Sequence, residues 1–130
     1  MSTIHDHSIN YIEIKCGMGE ILLHTNLVNE EHPEEKIIKF KGVIGHQFIH
    51  VLEGNIIFDI LKENPEDFYK DHKSELLEYH SYGLRLNCEN TEYFTNSLNL
   101  NGVSIYRIHS SYGLSGWIIA KEMIIKKKFV

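Results

Sequence analysis

The amino-acid sequence predicts a mainly β fold of the α+β class, as a single-domain antiparallel sheet or sandwich of about seven strands with one main helix near residues 65–82. Apolar and polar residues alternate in short segments that are joined by turns, which is typical of half-buried strands. One segment has apolar residues at helical spacing behind a capping residue. Strands that follow one another without intervening helices favour antiparallel pairing over βαβ units.

The first two strands are predicted as a hairpin. Ile12, Ile14 and Cys16 share one face of residues 11–16, Gly17 and Gly19 bracket a turn, and residues 20–25 resume the alternation. The same kind of pattern predicts the remaining strands at residues 36–41, 47–52, 55–61, 103–109 and 117–125. Residues 29–35 are predicted as an acidic, solvated loop before the third strand.

The helix prediction starts at Asn64, whose side chain can cap the first turn, followed by Pro65, which suits the first helical position. Glu66 and Lys70 are spaced as a favourable ion pair, and Gly83 is a natural stop. Residues 84–100 contain many asparagines, which compete for the backbone in turns, so we expect an irregular stretch with a short helical turn near residues 92–94.

The inward positions of these elements predict the hydrophobic core. Trp117 and Phe58 are its largest predicted members. The full set is Ile12, Ile14, Ile21, Leu23, Ile38, Phe40, Phe48, Ile56, Phe58, Ile60, Leu76, Val103, Ile105, Trp117 and Ile119.

Length and charge narrow the functional classes. A chain of 130 residues makes about one domain, here drawn over residues 1–130 with the first several residues and the lysine-rich end expected to be mobile. The formal net charge is −5, although residues 121–130 contain four lysines against one glutamate. Because the rest of the chain is strongly acidic, nucleic-acid binding is not expected.

Targeting patterns and the number of cysteines both predict the cellular compartment. The sequence has neither an apolar run long enough for a membrane span nor a secretory signal pattern at its start, so a cytoplasmic protein without membrane contact is expected. Cys16 and Cys88 are predicted to be two reduced, buried thiols rather than a disulfide.

No reactive motif is complete. Residues 113–117 begin like a nucleophile elbow, but Trp117 stands where that motif needs glycine. Phosphate loops and dinucleotide fingerprints are not found. The sequence therefore predicts no catalytic residue and no cofactor.

The nine histidines are the strongest indication of metal chemistry in the sequence. His5 and His7 lie near the start of the chain. His46 and His50 would stand about 13 Å apart along a strand, too far to share one metal ion. We predict no metal site, while a small metal-dependent enzyme or metal-binding protein that gathers its histidines in space remains an alternative.

Exposed acidic residues are the favoured functional feature. An acidic helix beside an acidic loop creates a field that can steer a basic protein partner. The predicted partner-binding residues are Glu30, Glu31, Glu34, Glu35, Glu66 and Asp67.

Three stretches carry a resemblance to known proteins: residues 40–43, residues 55–60 and residues 110–120. Together they resemble small uncharacterised bacterial proteins of the Bacillus YxiG-like kind, which are often encoded near polymorphic-toxin loci. The resemblance implies a toxin-neutralising or related binding role and transfers no catalytic residue.

The leading hypothesis is therefore a non-enzymatic protein-binding domain, immunity-like in kind, with a basic, toxin-like protein as partner. A self-associating structural module is a further alternative, since strand edges need covering and a homodimer is the commonest way to cover them.

Overall fold

The computed structural model describes residues 4–27 and 34–128, and it confirms an α+β fold that is mainly antiparallel β. The described residues form eight strands, not seven, and two long helices rather than one. In chain order these elements are β1 (Ser8–Lys15), β2 (Glu20–Leu27), β3 (Glu34–Lys41), β4 (Gly45–Ile49), β5 (Ile56–Lys62), α1 (Pro65–Ser81), α2 (Thr91–Asn101), β6 (Ser104–Tyr112), β7 (Ser115–Ala120) and β8 (Glu122–Lys127).

The strands form one hydrogen-bonded sheet in the order β4-β7-β6-β5-β1-β2-β3-β8. The pair of strands at one end of this sheet, β4 and β7, is connected in sequence to the pair at the other end, β3 and β8. β3 continues into β4, and β7 continues into β8. The Ile44 N–H donates to the Ile119 carbonyl and the Lys121 N–H donates to the Lys41 carbonyl, both at 2.9 Å, so pairing persists between these two runs at the corner. The sheet therefore bends back on itself, as in orthogonally packed sheets whose strands cross from one layer to the other.

This corner explains the eighth strand. The prediction of one last strand over residues 117–125 is wrong, because the chain breaks at Lys121 and pairs first with β4 and then with β3. Gly42 lies opposite, with φ of 63°, and a Cβ there would come within 2.6 Å of Lys121 Cγ. The corner thus requires a glycine, for both its backbone angle and its space.

Two apolar clusters lie on opposite sides of β6 and β7. Alternate residues of β7 serve both: Ile118 and Ala120 face the interior of the bent sheet, while Trp117 and Ile119 face the helices. Since both faces are covered, the continuous apolar run of β7 follows from its central position.

The core prediction is correct for most positions and wrong for two. The buried members are Ile21, Leu23, Ile38, Phe40, Ile60, Leu76, Val103, Ile105, Trp117 and Ile119, and the half-buried ones are Ile12, Phe48 and Ile56. Ile14 is instead 46% exposed and Phe58 is 52% exposed. In β5 the register with β6 shifts on either side of Ile57, so Ile57 is buried and Phe58 turns outward.

The helix predictions are likewise correct for one part and wrong for another. α1 begins as expected, with the Asn64 side chain accepting a hydrogen bond from the Asp67 N–H at 3.1 Å. The irregular stretch predicted for residues 84–100 is wrong from Thr91 onward, because Asn90 caps a second helix and Phe94 and Leu98 bury one side of it. Within the described residues, neither helix is long and apolar enough to cross a membrane.

The acidic loop prediction needs one correction. Glu34 and Glu35 belong to β3, where they pair with Leu27 and Asn26 of β2. Residues 29–33 lie outside the described residues. At the other end of the chain, Lys126 and Lys127 lie in β8 and pair with β3.

Candidate functional site

The exposed side of α1 carries a concentrated negative charge. We call Glu66, Asp67, Asp71, Glu75 and Glu78 the acidic face of α1. The helix holds only two basic residues, so its formal net charge is −3. Four of the five acids are exposed, and Glu75 is half-buried.

The buried side of α1 determines which way the acidic face points. Phe68 and Leu76 are completely buried, and the Phe68 ring meets Trp117 edge-to-face with centroids 5.5 Å apart. The Tyr69 hydroxyl donates to the Cys88 carbonyl at 2.7 Å. Because side chains on one side of the helix are buried in the core, the other side of the helix faces solvent.

Most carboxylates of the acidic face make no ion pair within the described residues. Among the described residues, the carboxylates of Glu66, Asp67, Asp71 and Glu78 make no ion pair, so the predicted Glu66–Lys70 pair does not form. Unpaired charges project a field over about one Debye length, which is about 10 Å at 0.1 M salt.

Glu75 belongs instead to a polar network that crosses to the sheet. Its carboxylate accepts from His72 Nδ1 at 3.2 Å, and His72 Nε2 lies 2.8 Å from Arg107 Nη1 on β6. Since arginine only donates, His72 Nε2 accepts in this contact. His72 also has non-helical backbone angles, φ −123° and ψ 18°, so this network stands at a kink in α1.

The predicted partner-binding residues are not brought into one cluster. Glu66 and Asp67 lie on the acidic face of α1, whereas Glu34 and Glu35 lie on β3, beside β8 and its lysines. Glu30 and Glu31 lie outside the described residues.

The carboxylate of Glu34 also has a cation and an imidazole beside it. Its Oε1 lies 2.8 Å from Lys36 Nζ and 3.3 Å from His7 Nε2. The hydrogen bond from Lys36 lowers the pKa of Glu34 below its usual value. A carboxylate with two cationic or donor neighbours projects less field than the unpaired acids of α1.

His7 anchors a buried polar network that the sequence did not reveal. It is 1% exposed, and its Nδ1 lies 3.1 Å from the hydroxyl of Thr25, which donates to the Lys36 carbonyl at 3.2 Å. Burial lowers the pKa of His7, and the charge of Lys36 lowers it further. Thr25 is 2% exposed, so this hydroxyl–imidazole–carboxylate chain ties the residue just before β1 to β2 and β3.

The other histidines are spread over the molecule. His46 lies on β4 beside Phe48, with ring centroids 5.0 Å apart, and burial lowers its pKa. His50 follows that strand in a left-handed conformation, φ 57°. Across residues 4–27 and 34–128, no three histidine, cysteine or carboxylate side chains stand close enough together to hold a metal ion.

A groove of about 660 Å³ lies between α1 and the segment that follows it. We call it the α1 groove; it runs between Leu77 and His80 of that helix and every residue from Leu84 to Glu89. Sequence reasoning missed it, since it treated these residues as an irregular connection. The available signal was the alternation of Leu84, Leu86 and Cys88 with polar residues.

Both cysteines are free thiols, as predicted, but the prediction that both are buried is wrong for Cys16, which is exposed, while Cys88 is buried. Burial raises the pKa of the Cys88 thiol. The resemblance to YxiG-like proteins stays a prediction. A comparison of the chain with protein-family models, curated proteins and solved structures gives no match in any of the three.

Proposed function

We propose that this chain is a non-enzymatic protein-binding domain that recognises a basic protein partner through the acidic face of α1. The observation that carries the proposal is a set of four exposed carboxylates that make no ion pair among the described residues, on a helix fixed by a buried core. An immunity-like role toward a basic toxin is one form of this function.

Two physical features support the proposal. The helix backbone that carries the acidic residues is held by the core, so a partner does not have to order that backbone on binding. They also act at a distance, because complementary charge raises association rates and rejects acidic competitors. Glu66 and Asp67 are the predicted residues that contribute here, while a contribution from Glu30 and Glu31 remains a prediction.

The test compares two double variants that change net charge equally. Asp67→Asn with Asp71→Asn removes two of the five acids of the acidic face, and Glu53→Gln with Glu122→Gln removes two exposed acids outside it. The probe is a fluorescein-labelled peptide of alternating lysine and serine, measured by fluorescence anisotropy at low and high salt.

We expect the first variant to bind the peptide several-fold more weakly at low salt, and the second to resemble the unmodified chain. Raising the salt should weaken binding of the unmodified chain most. Equal affinity of both variants, or binding indifferent to salt, would contradict recognition through this helix.

Self-association is a second candidate, favoured by one specific observation. Among the described strands, β4 pairs only with β7 and β8 only with β3, which leaves one edge of each without a strand partner. β8 carries Lys126 and Lys127, which discourage edge pairing, whereas β4 carries no Lys, Arg, Asp or Glu. Light scattering across a range of concentrations tests this candidate, and a constant monomer mass would reject it.

A further inference from the structure

The middle of α1 is bent at His72. The backbone angles of this residue are not helical, although helix continues on both sides of it. Sharp bends in helices usually come from proline, from a glycine–serine pair, from a π-bulge, or from a side chain or water that interrupts the backbone hydrogen bonds. Residues 68–76 contain neither proline nor glycine. A bend in such a segment therefore needs contacts with the rest of the molecule to maintain it.

The contacts at this bend join α1 to the sheet. His72 Nε2 lies 2.8 Å from Arg107 Nη1 on β6, and the side chain of His72 is only 13% exposed. Its ring also stacks on Phe68, with centroids 4.4 Å apart, and Phe68 is completely buried. His72 is thereby held against the sheet at the residue where the backbone leaves the helical path.

The chemistry of these two side chains makes their contact sensitive to a proton. Nε2 can accept from the Arg107 guanidinium only while it carries no proton of its own. An imidazolium would place two donors and two positive charges 2.8 Å apart. Because histidine ordinarily changes its charge between about pH 5 and pH 8, mild acid is enough to break a contact of this kind.

Both side chains have a carboxylate to pair with once the contact breaks. Glu63 Oε1, just ahead of α1, lies 3.9 Å from Arg107 Nη1, and Glu75 Oε2 lies 3.2 Å from His72 Nδ1. The unprotonated ring is satisfied by Arg107 and Glu75, whereas the protonated ring keeps Glu75 and leaves Arg107 to Glu63. Each protonation state therefore has its own set of partners.

The remaining surroundings of the His72 ring add little charge. Its chain neighbours Asp71 and Lys73 are exposed and opposite in sign. Trp117 of β7 and Phe94 of α2, which pack on Phe68, are uncharged. Among the described residues, no charged group other than Glu75 and Arg107 makes an ion pair or hydrogen bond with the ring.

The bend also divides the acidic face of α1. Glu66, Asp67 and Asp71 precede His72, and Glu75 and Glu78 follow it. A change in the bend moves these two groups of acids relative to each other. The proton that causes the change also brings a positive charge into the acidic face, which opposes a basic partner.

We propose that His72 is a proton-sensitive hinge of α1. With the ring unprotonated, Arg107 donates to Nε2 and α1 is bent. When Nε2 takes up a proton from water, the contact breaks, Arg107 pairs with Glu63 alone, and α1 straightens at His72. The hinge itself does not depend on a partner, whereas its effect, weaker recognition of a basic partner in acid, rests on the proposed function.

The hinge is tested by nuclear magnetic resonance of the full-length chain from about pH 8 to about pH 5. The ¹⁵N shifts of the His72 ring report its protonation, and the backbone carbon shifts of residues 70–74 report the bend. His72→Gln offers Arg107 an amide oxygen at every pH, and His80→Gln removes an exposed histidine from the same helix.

We expect the carbon shifts to move to helical values with the same midpoint as the His72 ring, both in the unmodified chain and in His80→Gln. In His72→Gln they should stay fixed. Arg107→Met keeps the length of the side chain without its donors, so its α1 should be straight even at about pH 8. A bend that persists in Arg107→Met, or carbon shifts that do not follow the His72 titration, would overturn the hinge.

The effect on recognition is measured with the labelled lysine–serine peptide by fluorescence anisotropy at about pH 8 and about pH 5.5. Since every histidine gains charge in acid, the comparison is between two variants that each lack one histidine of α1. We expect His72→Gln to lose less affinity in acid than His80→Gln, and equal losses would overturn the effect on recognition. If the peptide binds at neither pH, the proposed function fails, while the spectra still decide on the hinge.

Discussion

Replacing Trp117 with alanine should destabilise the fold far more than replacing Phe58. Trp117 is completely buried, and its ring contacts Phe68 and Tyr79, each with centroids 5.5 Å apart. Truncating such a residue removes its burial and leaves a cavity, which costs about 3–5 kcal/mol. Phe58 is 52% exposed, so Phe58→Ala should cost about 1 kcal/mol, roughly half of what full burial of phenylalanine contributes.

The measurement is urea denaturation followed by far-ultraviolet circular dichroism. Fluorescence is unsuitable, because Trp117 is the only tryptophan and its replacement removes the signal. The slope of free energy against urea should stay the same in both variants, so that the midpoints report stability alone. Equal losses of stability for the two variants would refute the burial assignment and the outward turn of Phe58.

Three further predictions follow from local geometry. Lowering the pH below about 6.5, the ordinary pKa of histidine, should destabilise the protein. Below that pH the unfolded chain binds a proton at His7, whereas the lowered pKa of His7 keeps the folded chain from binding it. The midpoint of thermal unfolding should fall less steeply with acid in His7→Gln than in the unmodified chain, and an unchanged slope would contradict this. Gly116→Ala should cost about 1–3 kcal/mol, since its Cβ would meet the Gln47 carbonyl oxygen at 1.9 Å, whereas Gly17→Ala meets nothing within 4 Å and should be nearly neutral in the same thermal assay. A thiol reagent should modify Cys16 quickly and Cys88 only on unfolding, and two equally fast thiols would show that Cys88 is not buried.

The features that sequence could predict are those set by neighbours in the chain. Asn64 and Pro65 mark the start of α1 through their own side chains, and the structure confirms that start. Alternation likewise placed Ile38 and Phe40 in the core. Glu66 and Asp67 were predicted at an exposed helix end, and both are exposed.

The features that sequence missed depend on partners far along the chain. The break at Lys121 follows from its contact with Gly42, and the outward turn of Phe58 follows from a register shift against β6. α2 was missed because its asparagines were counted as turn residues, although Asn90 acts as a cap. The α1 groove exists only because residues 84–89 lie alongside Leu77.

The association rate of the lysine–serine peptide, measured by stopped-flow fluorescence from about 20 to about 500 mM NaCl, tests the central claim most directly. For the unmodified chain we expect the rate to fall steeply with salt. Asp67→Asn with Asp71→Asn should lower the rate several-fold at low salt and flatten the dependence, while Glu53→Gln with Glu122→Gln should leave both nearly unchanged. Identical salt dependence in all three proteins would show that the acidic face of α1 does not guide a basic partner.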